Sequence, residues 1–75
     1  MKELDMVVLE QDIKEHGLQR GDIGAIVHRY NNGLAFEVEF VTGEGHTVAV
    51  LTLKPENIRL MKQREILHVR ELMAA

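Results

Sequence analysis

Seventy-five residues, with nine basic against twelve acidic side chains and a net charge of −3, make one domain near the lower size limit for independent folding. Hydrophobic content of 45% beside 28% charged residues is the balance of a globular chain, not of a disordered one. The chain has no cysteine and no serine, which excludes a disulfide framework, a thiolate metal site, and a thiol or serine nucleophile.

Asp5-Met6-Val7-Val8-Leu9 is an apolar, partly β-branched run that predicts a first strand. Glu10 to Asp22 follows as a polar stretch whose apolar anchors are Ile13 and Leu18. It is long for a hairpin loop and should fold onto the body, with Gly17 and Gly21 free to take positive φ. Ile23 to Tyr30 predicts a second strand, in which Gly24 marks a bulge or a close backbone approach. Asn31-Asn32-Gly33 carries the signal of a type I′ hairpin turn. Ala35 to Val41 then alternates, with Phe36, Val38 and Phe40 on one face and Glu37 and Glu39 on the other. Gly43-Glu44-Gly45 turns the chain into a fourth strand, His46 to Leu53, where Ala49, Leu51 and Leu53 share a face opposite Val48 and Val50. Pro55 is suited to start a single helical turn, after which Ile58-Arg59-Leu60 forms a brief fifth strand. The predicted core is Val27, Phe36, Val38, Phe40, Leu51, Leu53 and Ile58.

From Met61 the pattern changes. Lys62 to Met73 has no glycine or proline and is rich in helix formers. At helical spacing Met61, Ile66, Val69, Leu72 and Met73 fall within about 140° of arc, so a C-terminal amphipathic α-helix is expected. Residues 1 to 53 carry four basic and nine acidic groups, and residues 54 to 75 carry five basic and three acidic. So short a helix must pack on the barrel, on a partner or on a second copy of the chain. The reading is all-β: a small five-stranded antiparallel SH3-like barrel over residues 1–60, a one-turn helix before its last strand, and a helical tail over residues 61–75. A five-stranded OB-type barrel is the competing architecture, but the chain leaves no room for its helix after strand three.

Asp12-Ile13, His16-Gly17-Leu18 and Gly21-Asp22-Ile23-Gly24-Ala25-Ile26-Val27, followed by Phe36 to Phe40 and Val50 to Leu53, resemble a small bacterial family known as domain of unknown function 4926. The resemblance covers roughly residues 4 to 60 and leaves the basic tail unmatched. It implies an SH3-like barrel and a stand-alone accessory protein. Some members look like genomic neighbours of toxin-type proteins, which implies an antitoxin or immunity role. The family pattern supplies no catalytic residues.

The chemistry-bearing residues point away from catalysis. Glu37 and Glu39 should lie exposed on one strand face, where nothing raises a carboxyl's proton affinity, and so small a domain should offer no deep pocket. His16, His28, His46 and His68 lack the spacing of a metal helix and read as surface residues, so no metal or cofactor is expected. Arg20-Gly21-Asp22 spells an adhesion tripeptide, but its glycine is better explained by a turn. Tyr30 alone cannot line a proline-peptide groove. Gly21 to Val27 is also similar to the glycine-containing strand of KOW-type modules, making a nucleic-acid-binding module using the basic tail the alternative. Clustered cations are needed for that, and the body is net negative.

What remains is protein contact by a non-enzymatic module, or by a small subunit of a larger assembly. An acidic rim of Glu10, Asp12, Glu15 and Asp22 would steer a basic partner, and a tail face of Arg64, Ile66, Val69, Arg70 and Met73 would seat in a groove or pair with a second copy. No apolar run approaches the roughly 20 residues of a membrane span. Met1 to Asp5 lack the apolar stretch of a secretory signal, so the expected location is cytoplasmic.

Overall fold

A computed structural model describes residues 1–72 and shows an all-β chain of five antiparallel strands in one sheet. These are β1 (Met6–Leu9), β2 (Ile23–Tyr30), β3 (Ala35–Val41), β4 (Thr47–Leu53) and β5 (Ile58–Leu60), in the spatial order β4-β3-β2-β1-β5. A 3-10 turn at Pro55–Asn57 sits directly before β5, as the proline predicts. Among the described residues no helix is long and apolar enough to cross a membrane.

The core is built on β1, β2 and β3, where Val7, Leu9, Ile26, Phe36, Val38 and Phe40 are buried, with Leu53 and Ile58 closing its ends. Register explains the facing. Phe36, Val38 and Phe40 pair with Leu53, Leu51 and Ala49, so the inward row of β3 meets the inward row of β4. Leu51 is half-buried rather than buried, packing at the margin of the cluster. Ile13 and Leu18 bridge to each other within the long β1–β2 loop, and their buried side chains pin it to the body.

Val27 departs from expectation: it is 42% exposed, and Gly24 and Ile26 face inward instead. Ile26 pairs with Val38 while His28 pairs with Glu37, which makes Val27 the extra residue of a β-bulge on β2. Gly24 is inward by necessity, since a Cβ there would lie 2.6 Å from Val38 Cγ1 and 2.9 Å from Phe40 Cε1. A second bulge places Val48 between the pairs Phe40–Ala49 and Val41–Thr47 and turns it towards the core rather than the outer face. The β2–β3 connection is also larger than a two-residue type I′ turn. Asn31, Asn32 and Gly33 take φ of 45°, 57° and 97°, and Leu34 completes a four-residue loop closed by the Tyr30–Ala35 pair.

The expected C-terminal α-helix is not seen. Residues 61–72 contain a turn at 63–64 and otherwise run without regular structure. A helix of this length is marginal without packing. Here side-chain bonds from Glu65 and Arg70 hold the segment to the body without helical hydrogen bonds. Met73, assigned to the tail face, lies outside the described residues.

Candidate functional site: a carboxylate clamp on the C-terminal segment

The β1–β2 loop ends in a rigid corner. Gly21, at φ 97°, donates its N–H to the Leu9 carbonyl at 2.9 Å, and Leu9 N–H returns to the Asp22 carbonyl at 2.8 Å. The Asp22 carboxylate accepts the Gln19 N–H at 2.8 Å, which fixes its orientation before any other chain segment arrives. Gly17, at φ 69°, closes the 3-10 turn Lys14–His16. Between these two points the loop presents a fixed carboxylate and the Gly17 carbonyl oxygen.

Arg70 fills that acceptor set. Its Nε donates to Asp22 Oδ1 at 2.8 Å, and its Nη2 donates to Asp22 Oδ2 at 2.5 Å and to the Gly17 carbonyl at 2.9 Å. This is the forked, bidentate geometry for which a guanidinium is pre-organised and a lysine is not. Both side chains are largely covered, at 25% and 17% exposure. Burial pushes the Asp22 carboxyl up, but hydrogen bonds from Arg70 and the Gln19 N–H, with the Arg70 charge, outweigh it and hold the group below its ordinary value. The same hydrogen bonding raises the Arg70 guanidinium. Leu72 settles beyond the clamp, its Cδ1 3.5 Å from where a methyl group on Gly17 would stand.

The segment thus forms one wall of an open cleft of about 840 Å³, with Leu18, Ile23, Phe40 and Val48 among the residues on the body side. The volume reaches the range of ligand sites, against expectation, but the cleft exists because the tail crosses the body.

A second cluster fixes the start of the tail. Arg59, on β5, donates from Nη1 and Nη2 to the two oxygens of Glu65 at 2.8 and 2.7 Å, and its Nε lies 3.6 Å from Glu10. Glu65 also accepts the Lys62 N–H at 2.6 Å. The Arg59 hydrogen bonds first, then that N–H, draw the Glu65 carboxyl down to about 2.

The residues assigned to a partner surface are therefore divided. Asp22 and Arg70, placed on separate faces by sequence, meet each other. Glu10 lies beside Arg59. Asp12 accepts the Arg20 N–H at 2.8 Å and closes the loop on itself. Glu15 is exposed on the 3-10 turn, and Arg64 is exposed in the turn at 63–64. Ile66 and Val69 stand in water at 94% and 89% exposure, with Leu67 at 63%. The sequence reading missed the Arg59–Glu65 pair and the Gly17 carbonyl. Only the charge of Arg59 and Glu65 marked the first, and a backbone acceptor carries no residue-type signal.

Elsewhere the polar groups are structural. Glu37 and Glu39 are half-buried rather than fully exposed, and accept hydrogen bonds from Thr52 and Thr47 across β3 and β4. All four histidines are exposed. Among the described residues no group of three histidine or carboxylate side chains gathers to hold a metal. What the clamp can do chemically is bind: a carboxylate and a carbonyl receive one guanidinium.

The strand order and this loop architecture extend over the region that the chain shares with known sequences. Residues 3–60 match the family described as Domain of unknown function (DUF4926), and the chain belongs to it. The match ends at β5, so the clamp's Asp22 and Gly17 lie inside the family region and Arg70 lies outside it. No curated protein and no solved structure matches the chain.

Proposed function

We propose that this chain is a non-enzymatic protein–protein interaction module on an SH3-like barrel, with its C-terminal segment as the contact element. The strand order β4-β3-β2-β1-β5, the long loop after β1 and the 3-10 turn before β5 support the SH3-like reading. The observation that carries the functional reading is the exposure of Ile66, Leu67 and Val69 on a segment tied down on both sides, at Glu65 and at Arg70. Single exposed aliphatics are ordinary on any surface. Three within four residues, on a segment anchored at both ends, offer a partner an apolar contact whose ordering cost is partly met in advance.

The narrower role, an antitoxin or immunity-type accessory protein, rests on the family resemblance. Nucleic-acid binding is not adopted, because two of the five cations after residue 53, Arg59 and Arg70, are engaged by carboxylates. Co-expression with the product of the adjacent gene tests the proposal. A complex that survives purification and is lost in the I66D/V69D double variant is expected. A complex indifferent to that variant would overturn the contact element, and no complex would overturn the reading.

A further inference from the structure

The clamp is made between residues 48 apart in sequence, and the chain that joins its halves does little to keep them in one molecule. Among the described residues, no backbone hydrogen bond ties residues 66–72 to the body. Ile66 and Val69 lose almost no packing if the segment swings away, and Leu67, 63% exposed, loses only part of its surface contact. Opening the segment therefore gives up the Arg70 fork and the Leu72 contact and little else. Both are recovered in full if the same segment of another copy enters the vacated groove.

From this we infer that the Asp22–Gly17 groove accepts Arg70 from a second copy of the chain, so that the protein forms an exchanged dimer with each clamp built from two molecules. The occupant is a second copy because the groove's acceptor set fits this tail residue for residue: a fixed carboxylate for the guanidinium fork, the Gly17 carbonyl for the second N–H of Nη2, and open space over Gly17 for Leu72. Glu65, held by Arg59, keeps the start of the segment on its own body, leaving residues 66–69 as the hinge. Four extended residues reach at most about 14 Å. The two bodies must then lie close, with their hinges side by side. Exchange of an identical terminal segment between copies is a low-cost route to a dimer.

Association must overcome the high effective concentration that the intact chain gives its own tail. The gain that offsets it is the hinge itself. Ile66, Leu67 and Val69 stay in water when the clamp closes within one chain, and two hinges passing each other would cover them. This inference concerns which molecule supplies the tail, and it stands whether or not the chain also binds an unrelated protein.

The test uses two full-length variants that cannot close a clamp alone. D22N keeps Arg70 but loses the anionic seat, and R70A keeps the seat but loses the fork. Light scattering after size exclusion should give a single-chain mass for each variant alone and a doubled mass for the equimolar mixture, where the D22N tail enters the R70A groove. The wild-type chain should show a dimer fraction that rises with concentration. A mixture that stays at single-chain mass would overturn the inference, as would a mixed dimer that persists when R70A replaces Arg70 in both partners. Far-ultraviolet circular dichroism checks that each variant keeps its sheet. Should R70A lose it, R70K, which keeps the charge without the fork, replaces it as the groove donor and is expected to give the same doubled mass when mixed with D22N.

Discussion

Replacing Gly24 with alanine tests the central packing contact of the sheet. A methyl group built there would lie 2.6 Å from Val38 Cγ1, 2.9 Å from Phe40 Cε1 and 3.0 Å from the Glu39 carbonyl oxygen. Carbon atoms in contact prefer about 3.5 to 4.0 Å, so two core side chains and the β3 backbone would have to retreat by roughly an ångström. Overpacking of that kind costs about 1 to 3 kcal/mol. Removing a glycine restricts the unfolded chain and returns about 0.4 to 1 kcal/mol. The net loss is about 1 to 2 kcal/mol, which in a domain of this size lowers the melting temperature by about 5 to 15 °C. Gly43→Ala is the matched control, because nothing lies within 4 Å of a Cβ at that position and its φ is not in the left-handed region. It should melt at or slightly above the wild-type temperature. Thermal melts followed by circular dichroism decide the matter. A G24A chain as stable as wild type, or equal shifts at the two glycines, would refute the claim that the inward face of β2 is set by the rings and methyls of β3.

Phe40→Ala removes a ring that is 2% exposed at the centre of the cluster and should cost about 3 to 5 kcal/mol. That is comparable to the whole stability of so small a domain, so denaturant titration should find the variant largely unfolded. Ile26→Ala should cost about 2 to 4 kcal/mol while its neighbour Val27→Ala costs less than about 1 kcal/mol, because the first is fully buried and the second is 42% exposed on a bulge; reversed values would mean that the register is wrong. Acid stability follows from Asp22 and Glu65. Both carboxyls are lowered in the fold, from 3.8 for Asp22 and from 4.5 to about 2 for Glu65, so the folded chain binds fewer protons than the unfolded one. Their contribution is complete above those ordinary values and is lost as pH falls from 4.5 towards 2. The melting temperature should fall across that window, and D22N should be less stable than wild type at pH 7, by about 1 kcal/mol, with the gap narrowing as pH falls below 3.8. Parallel profiles for the two chains would remove the clamp from the stability of the fold.

Strand positions were legible because this chain states them twice, by β-branched runs and by the punctuation between them. Ile23–Tyr30, Ala35–Val41 and Ile58–Leu60 run as their residues predict, and Pro55 opens the expected turn. Facing was legible where alternation is unbroken, as in Phe36, Val38 and Phe40. It failed on β2 for a physical reason. The inward residue at position 24 is a glycine, which gives no hydrophobic signal, and the bulge at Val27 reverses the alternation beyond it. A reader of the residues sees Val27 as the apolar member of the strand, and only the space already taken by Val38 and Phe40 shows that glycine belongs inside.

The tail shows a different limit. Helical periodicity in residues 61–72 is present, but periodicity describes what a segment would do with an apolar surface to lie on, and local propensity is too weak to decide alone. The deciding interactions are two guanidinium–carboxylate pairs, one spanning 6 residues and the other 48. Neither has a sequence signature, since any arginine can meet any acid. Their effect reaches beyond local conformation. An acidic rim and a basic tail, read separately, predict two complementary surfaces for outside partners. Once Asp22 and Arg70 close on each other, the most strongly directed charge on each surface is spent on the other. Among what the clamp leaves outward are three aliphatic side chains, Ile66, Leu67 and Val69, beside a carboxylate seat that holds arginine. The proposed interaction then turns less on net charge than on which arginine occupies that seat.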